Sequence, residues 1–247
     1  MIDSKRLDLI LSAAKELGYE AKLLNNRGLV AINVNGNEVY LFHKTSNPNT
    51  QMATWLANNK YIARVIFDRN KLPNIPFCVA ENFESAVEFL SIHGKVVVKP
   101  LKGGHSQNVH LISNKEELEK LSLENCIIEK FIDGQEVRLL VVDGDVKAVH
   151  HKNYDGPINN PDIVQRESLE KDKWDARLIP LAKKAAKALC LNFTAVDFLV
   201  TPSGDIYLLE INSAPGLDRF QNPDKGPSIN IMKIYIEQII KNYAKNY

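Results

Sequence analysis

The stretch from Thr194 to Gly216, TAVDFLVTPSGDIYLLEINSAPG, constrains this chain more than any other. It reads as two apolar strands joined by a tight turn at Pro202-Ser203-Gly204-Asp205. A turn centred between Ser203 and Gly204 brings Asp197 and Glu210 face to face, with Cβ atoms ~5 Å apart. Asn212, two residues further on, points to the same face as Glu210. Facing like charges destabilise a sheet and raise each other's pKa unless a cation lies between them. Two carboxylates and a carboxamide are hard oxygen ligands of the kind Mg²⁺ takes when it also binds phosphates. The competing reading is a surface hairpin with solvated acids. The run Ile206-Tyr207-Leu208-Leu209, expected to be buried on both sides, favours the metal.

Bulk properties narrow the field. With 247 residues the chain can bury a core as one large domain or as two to three small lobes. A net charge of +1 at pH 7 and scattered Lys and Arg leave no electrostatic footprint for nucleic acid or for an anionic membrane. Cys78, Cys126 and Cys190 are far apart and lack CxxC spacing. That pattern argues against a disulfide framework and a zinc site, and each cysteine is expected to be a small buried hydrophobe. The opening MIDSKRLDLI lacks the apolar centre of a signal peptide, and no apolar run is long enough to span a membrane. A cytoplasmic protein is the expectation.

Apolar spacing over 4–17 predicts a helix ended by Gly18, followed by short strands near 20–24, 29–34 and 37–42. Asn35-Gly36 marks a hairpin between the last two. A polar linker at 45–49 precedes a helix over roughly 50–70. From 77 onward strand, helix and strand alternate, with helices near 84–92 and 115–121 and strands at 96–99, 109–112, 126–132, 137–142 and 146–150. Residues 152–168, rich in Asn, Pro and Asp, are expected to form a loop over a site. A helix near 174–189 is kinked at Pro180 or begins near it. An amphipathic helix over 228–243 closes the chain.

Two further clusters carry charge into apolar surroundings. Lys99 ends the run Val96-Val97-Val98, where an ammonium needs an anionic partner. Beside it, Lys102-Gly103-Gly104-His105-Ser106 offers donors and close backbone approach to an anion. The chain has neither GxxxxGK[ST] nor GxGxxG. In IIEKFIDGQEVR, Glu129 closes one strand, Asp133-Gly134 turns, and Glu136 and Arg138 share a face of the next strand. A solvated salt bridge would explain that last pair alone. Its place between a glycine-containing loop and a paired-carboxylate hairpin points to a nucleotide site.

The ordered set VVVKP, glycine-containing loop, IIEKFIDGQEVR, AVDFLV and LLEINSAPGL resembles the ATP-grasp superfamily over about residues 55–240. Within it, the chain is most similar to amide-forming ligases such as D-alanine–D-alanine ligase, bifunctional glutathione synthetase and the ATP-grasp region of cyanophycin synthetase. The resemblance implies an α+β fold, two lobes gripping ATP between antiparallel sheets, with a short N-terminal α/β lobe. The implied boundaries are 1–50, 51–125 and 126–247. It implies that Lys60 and Lys99 meet the nucleotide and that Lys102, Gly103, Gly104, His105 and Ser106 close over the triphosphate. Glu129 would accept from the adenine amino group, and the backbone of Lys130, Phe131 and Ile132 would read the purine edge. Glu136 would hold the ribose, and Leu209 joins the nucleotide set. Asp197, Glu210 and Asn212 would bind Mg²⁺, two ions in all, with Mn²⁺ able to substitute. Gly216 would donate to the oxyanion and Arg138 would face the phosphates. Arg166, His150 and His151 are candidates to grip substrate or γ-phosphate.

Three departures mark this chain. Asn108 stands where the loop usually has a glycine, which a left-handed backbone still allows. Ala195 replaces the arginine of D-alanine–D-alanine ligases, and the first lobe is short, which is compatible with a homodimer completing a pocket. The implied activity is an ATP- and Mg²⁺-dependent ligase acting through an acyl phosphate on an amino acid or peptide. The alternatives are a kinase of the same fold and a non-catalytic nucleotide-binding subunit.

Overall fold

The computed structural model describes residues 4–25, 27–42, 48–102, 108–154 and 164–244. They divide into two units, one comprising 1–50, 216–223 and 228–247, the other 51–215 and 224–227.

The first unit combines helix α1 (Ser4–Glu16) with strands β1 (Ala21–Leu23), β2 (Leu29–Val34) and β3 (Asn37–Phe42). Asn35 and Gly36 both take positive φ, 51° and 87°, so the Asn-Gly pair makes the expected tight hairpin. The sheet is antiparallel throughout, because its strands follow one another through short turns. This corrects the α/β expectation for this lobe. The last helix, Ile231–Ala244, belongs to the same unit and packs on α1. Asn230 Nδ2 donates to Glu16 Oε2 at 2.9 Å.

The second unit opens with two helices where one was expected, α2 (Gln51–Asn58) and α3 (Lys60–Arg69). The break is Asn59, whose side chain accepts from the Ile62 N–H at 3.2 Å and caps α3 from an extended backbone. Next come β4 (Phe77–Cys78), α4 (Phe83–His93), β5 (Val96–Pro100), β6 (His110–Ile112), α5 (Lys115–Leu118) and β7 (Cys126–Lys130). They form a four-stranded sheet in the order β4-β7-β5-β6, every pairing antiparallel. Strand Cys126–Lys130 therefore lies in this sheet, on the near side of the connection at Asp133-Gly134. Val96, Val98 and Ile128 bury one face against Ala86, Leu90 and Leu118. The alternation of β-strands sends Val97, Lys99 and Glu129 to the other face.

Strands β8 (Gln135–Val142), β9 (Asp145–Tyr154), β10 (Val164–Ser168), β11 (Phe193–Val200) and β12 (Ile206–Asn212) make an antiparallel sheet ordered β10-β9-β8-β11-β12. Residues 152–154 and 164–168, expected as loop, are strand, while 155–163 lie outside the described residues. Helix α6 (Leu178–Ala188) carries Pro180 in its first turn, where no helical hydrogen bond is lost, and so begins near it. Its face of Leu178, Ala182, Ala185 and Ala186 packs under Val137, Leu139, Val149, Val196, Phe198, Leu208 and Ile211. Each of the larger side chains buried there contributes about 1.5–3 kcal/mol. The opposite face carries Glu136, Arg138, Lys152 and Asp197 beside the buried apolar residues Leu140, Val142, Phe193 and Ala195.

None of the cysteines is fully buried, contrary to expectation. Cys78 and Cys126 are half-buried, and Cys190 is exposed at φ 54° just past α6, where the chain turns left-handed.

Candidate functional site

Register places the charged residues on one face of the five-stranded sheet. Asp197 pairs with Glu210 on one side and Arg138 on the other, as the hairpin reading expected. The turn differs from that reading. Val200 pairs with Ile206, and Gly204, at φ 87°, donates to the Thr201 carbonyl at 2.8 Å. The turn is therefore centred on Ser203. Left alone, that register would set Asp197 against Leu209 and send Glu210 to the core. A β-bulge between Asp197 and Phe198 makes Leu209 the extra residue and restores Glu210 to the face of Asp197. The same bulge keeps Leu208 wholly buried, whereas Ile206, Tyr207 and Leu209 are only half-buried, not enclosed on both sides as expected.

A second bulge, between Leu140 and Val141, acts likewise on β8 and β9. It makes Lys147 the extra residue, so that Glu136 pairs with Lys152 and Arg138 with His150. Glu136 and Arg138 share a face, as expected.

On this face Arg138 grips Asp197 with two hydrogen bonds, Nε to Oδ1 at 2.6 Å and Nη2 to Oδ2 at 2.5 Å, and reaches Glu210 Oε1 at 3.5 Å. Lys152 Nζ lies 3.4 Å from Asp197 Oδ1 and bonds Glu136, which also accepts from the Tyr154 hydroxyl. Asp197 is fully buried, yet Arg138 and then Lys152 hold its pKa far below the carboxylate range. Glu210 moves the other way, raised first by burial and then by the charge on Asp197. Its side chain remains 42% exposed, so solvent screens part of that push. Asn212 Oδ1 accepts from the Ala214 N–H at 2.9 Å and lies on the strand position beyond Glu210. Asp197, Glu210 and Asn212 thus line up hard oxygen donors on one face, a set that fits a hydrated Mg²⁺.

The four-stranded sheet carries the other cluster. Glu129, 2% exposed, binds Lys99 Nζ at 2.7 Å through Oε2 and Arg64 Nε at 2.9 Å through Oε1. Burial alone would raise its pKa, but Arg64 and then Lys99 bring it down to about 2. The pKa of Lys60 is lowered by burial and then by the charge of Lys99. Two ammonium groups that repel each other in a partly buried place suit an anion.

Other expected residues divide. The Lys130 N–H donates to the Pro76 carbonyl and the Phe131 N–H to the Lys95 carbonyl, both at 2.9 Å, and Ile132 is buried. Lys102 is exposed, while Gly103, Gly104, His105 and Ser106 lie outside the described residues. Asn108 takes φ 55°, the left-handed backbone allowed for it. Arg166 pairs with Lys152 across β9 and β10, with its N–H on Asp224 Oδ2 at 2.7 Å. Gly226 fits here because an added Cβ would lie 1.9 Å from the Ser168 carbonyl oxygen. His150 is buried on the charged face with its pKa lowered to about 4, first by burial and then by Arg166, so its ring is neutral at pH 7. His151 is half-buried and alternates to the other face. Gly216 is exposed and belongs to the first unit.

Sequence reasoning missed Lys152, Tyr154 and Arg64. The first two depend on the β8–β9 bulge. Arg64 left a signal, since Ala57, Ala63 and Phe67 trace the buried stripe of the helices and Arg64 occupies a stripe position.

A model of the RimK-like ATP-grasp domain matches residues 57–239, nearly three-quarters of the chain. The chain belongs to the RimK-like ATP-grasp family. This RimK-like chain is 31% identical over 188 residues to a D-alanine–D-alanine ligase of Geobacter sulfurreducens, covering 67% of this chain and 58% of that one. It therefore spans less than two thirds of that relative. Among solved structures, a bifunctional glutathione synthetase from Pasteurella multocida superposes with a TM-score of 0.70 at 13% identity, over 96% of this chain and 43% of that one. The macrocyclase MdnC from Microcystis aeruginosa, solved with its precursor peptide MdnA, gives 0.68 at 15% identity over 98% and 97%. At those identities the likeness is one of fold, and the α+β ATP-grasp architecture stands.

Proposed function

We propose that the chain is an ATP- and Mg²⁺-dependent ligase that joins a carboxylate to an amine as an amide, releasing ADP and phosphate. The observation that carries this reading is the in-register row Arg138–Asp197–Glu210, a carboxylate pair held to one face by a bulge, in a chain of an ATP-grasp family. Peptide or amino acid substrates are favoured by the likeness to MdnC, which was solved with a precursor peptide.

In this reading Lys60 and Lys99 bind phosphate oxygens, which relieves their mutual repulsion. Asp197, Glu210 and Asn212 would hold Mg²⁺, or Mn²⁺ in its place, and the metal would supply positive charge to the phosphates. Glu129 and Glu136 face adenine and ribose. With the Lys130 and Phe131 amides already bonded, the purine edge falls to Ile132 N–H. The substrate carboxylate attacks the γ-phosphorus and ADP leaves. The amine then attacks the acyl carbon, phosphate leaves, and the nitrogen gives up a proton. Arg138 and Arg166 stabilise negative charge as it develops. The free thiols of Cys78, Cys126 and Cys190 favour a reducing compartment such as the cytoplasm.

The test is Mg²⁺-dependent ADP release against pools of amino acids and short peptides, singly and in pairs. ADP should appear only when carboxylate and amine are both present, with a product one water lighter than their sum. ADP released with a hydroxyl acceptor and no amine would replace the ligase with a kinase. Tight ATP binding without turnover on any pool would favour a nucleotide-binding subunit.

A further inference from the structure

Arg64 is 2% exposed, and its guanidinium bonds groups from three separate segments. Nε donates to Glu129 Oε1 at 2.9 Å, on β7 of the four-stranded sheet. Nη1 donates to Asn74 Oδ1 at 2.8 Å and to the Leu208 carbonyl at 2.5 Å, and Nη2 donates to the Leu209 carbonyl at 2.7 Å. Leu209, next to Glu210, is the extra residue of the β12 bulge, and Leu208 precedes it. A bulge on an edge strand leaves carbonyls without ladder partners, and here one side chain takes two of them. Asn74 locks the arrangement, since its Nδ2 donates to the Arg64 carbonyl at 2.9 Å and to Asp68 Oδ1 at 2.7 Å. The neighbouring Pro73 carbonyl accepts from Leu208 N–H at 2.6 Å.

We infer that Arg64 is a positioning residue that joins the two halves of the nucleotide site. Through Glu129 it orients Lys99, and through the Leu208–Leu209 carbonyls it sets the bulge that presents Glu210. This rests on the ligase reading, in which Lys99 meets the nucleotide and Glu210 a metal. Arg64 also sits one helical turn after Lys60 on α3, so a single helix carries one cation for phosphate and one for the scaffold. A lysine could keep the ion pair with Glu129, but it has no planar fork to reach two carbonyls and a carboxamide together. A simple structural role would cost stability and leave the affinity of the folded protein untouched.

The experiment is calorimetric titration of ATP with Mg²⁺ into wild type, Arg64→Lys and Asn74→Ala, well below each unfolding midpoint. The expected result for R64K is affinity weaker by about tenfold or more, from the loss of bonds made by a charged donor, and a higher Mg²⁺ concentration for half-saturation. N74A should weaken binding by about threefold. A folded R64K with wild-type affinity and Mg²⁺ dependence would overturn the inference. If R64K does not fold, unchanged affinity in N74A overturns it. A wild type that binds no ATP with Mg²⁺ overturns the ligase reading itself, which keeps the two failures apart.

Discussion

Glu129 on the four-stranded sheet and the Asp197–Glu210 pair on the five-stranded sheet are carboxylates set among cations, with opposite charge balance. Glu129 is one acid between Arg64 and Lys99, with Lys60 adding to the field of Lys99. Asp197 and Glu210 share one arginine, and Lys152 is divided between Asp197 and Glu136. Accordingly the Glu129 pKa falls to about 2, while that of Glu210 rises. The first place has positive charge in surplus and suits phosphate. The second is short of positive charge and suits a metal ion. The fold builds both in the same way, by burying one face of a sheet on helices and leaving the alternate residues to carry charge.

The largest expected effect comes from breaking the first cluster. Glu129→Ala leaves Arg64 and Lys99 buried without their acid, and denaturant unfolding should show a loss of about 3–5 kcal/mol. A loss under about 1 kcal/mol would mean that Glu129 is not the keystone of that cluster. Glu210→Gln should do the reverse, leaving the metal-free fold as stable as wild type or slightly more so while lowering turnover about a hundredfold or more. Normal turnover in the folded variant would remove the metal assignment.

The smallest effect, and the sharpest in sign, is the pH dependence of stability. The folded pKa of Glu129 lies below the ordinary 4.5, so its contribution is complete above pH 4.5 and is lost as pH falls toward about 2. The folded pKa of Glu210 lies above 4.5, so ionising it costs stability as pH rises through and beyond 4.5. Unfolding midpoints of wild type and Glu210→Gln should therefore separate on going from pH 4 to 7, with the variant gaining. Parallel curves would show that Asp197 and Glu210 do not repel each other in the folded chain.

Much of this was legible in the residues. Asn35-Gly36, the alternation of Glu136 and Arg138 and the lysine closing a valine strand follow from rules of a few residues' range, whereas the facing of Asp197 with Glu210 was expected from a turn centre that the structure moves by half a residue and is restored by the bulge. Several boundaries were not. The break at Asn59 depends on a cap, and residues 152–154 and 164–168 are strand only because each finds a neighbour in the sheet.

The deeper division lies at the bulges. By itself the sequence determined the family, the strand alternation and the residue types able to hold phosphate and metal, because turn chemistry and polarity are local properties. Only the tertiary structure decided that Leu209 and Lys147 are extra residues, and so that Glu210 faces Asp197 and Lys152 faces Glu136. A one-residue shift reverses every side chain beyond it, and the choice is settled by which register buries Leu208 and Ile211 together over α6. Arg64 is of the same kind: its partners lie 10, 65 and about 145 residues away, and only the packed chain brings them to one guanidinium.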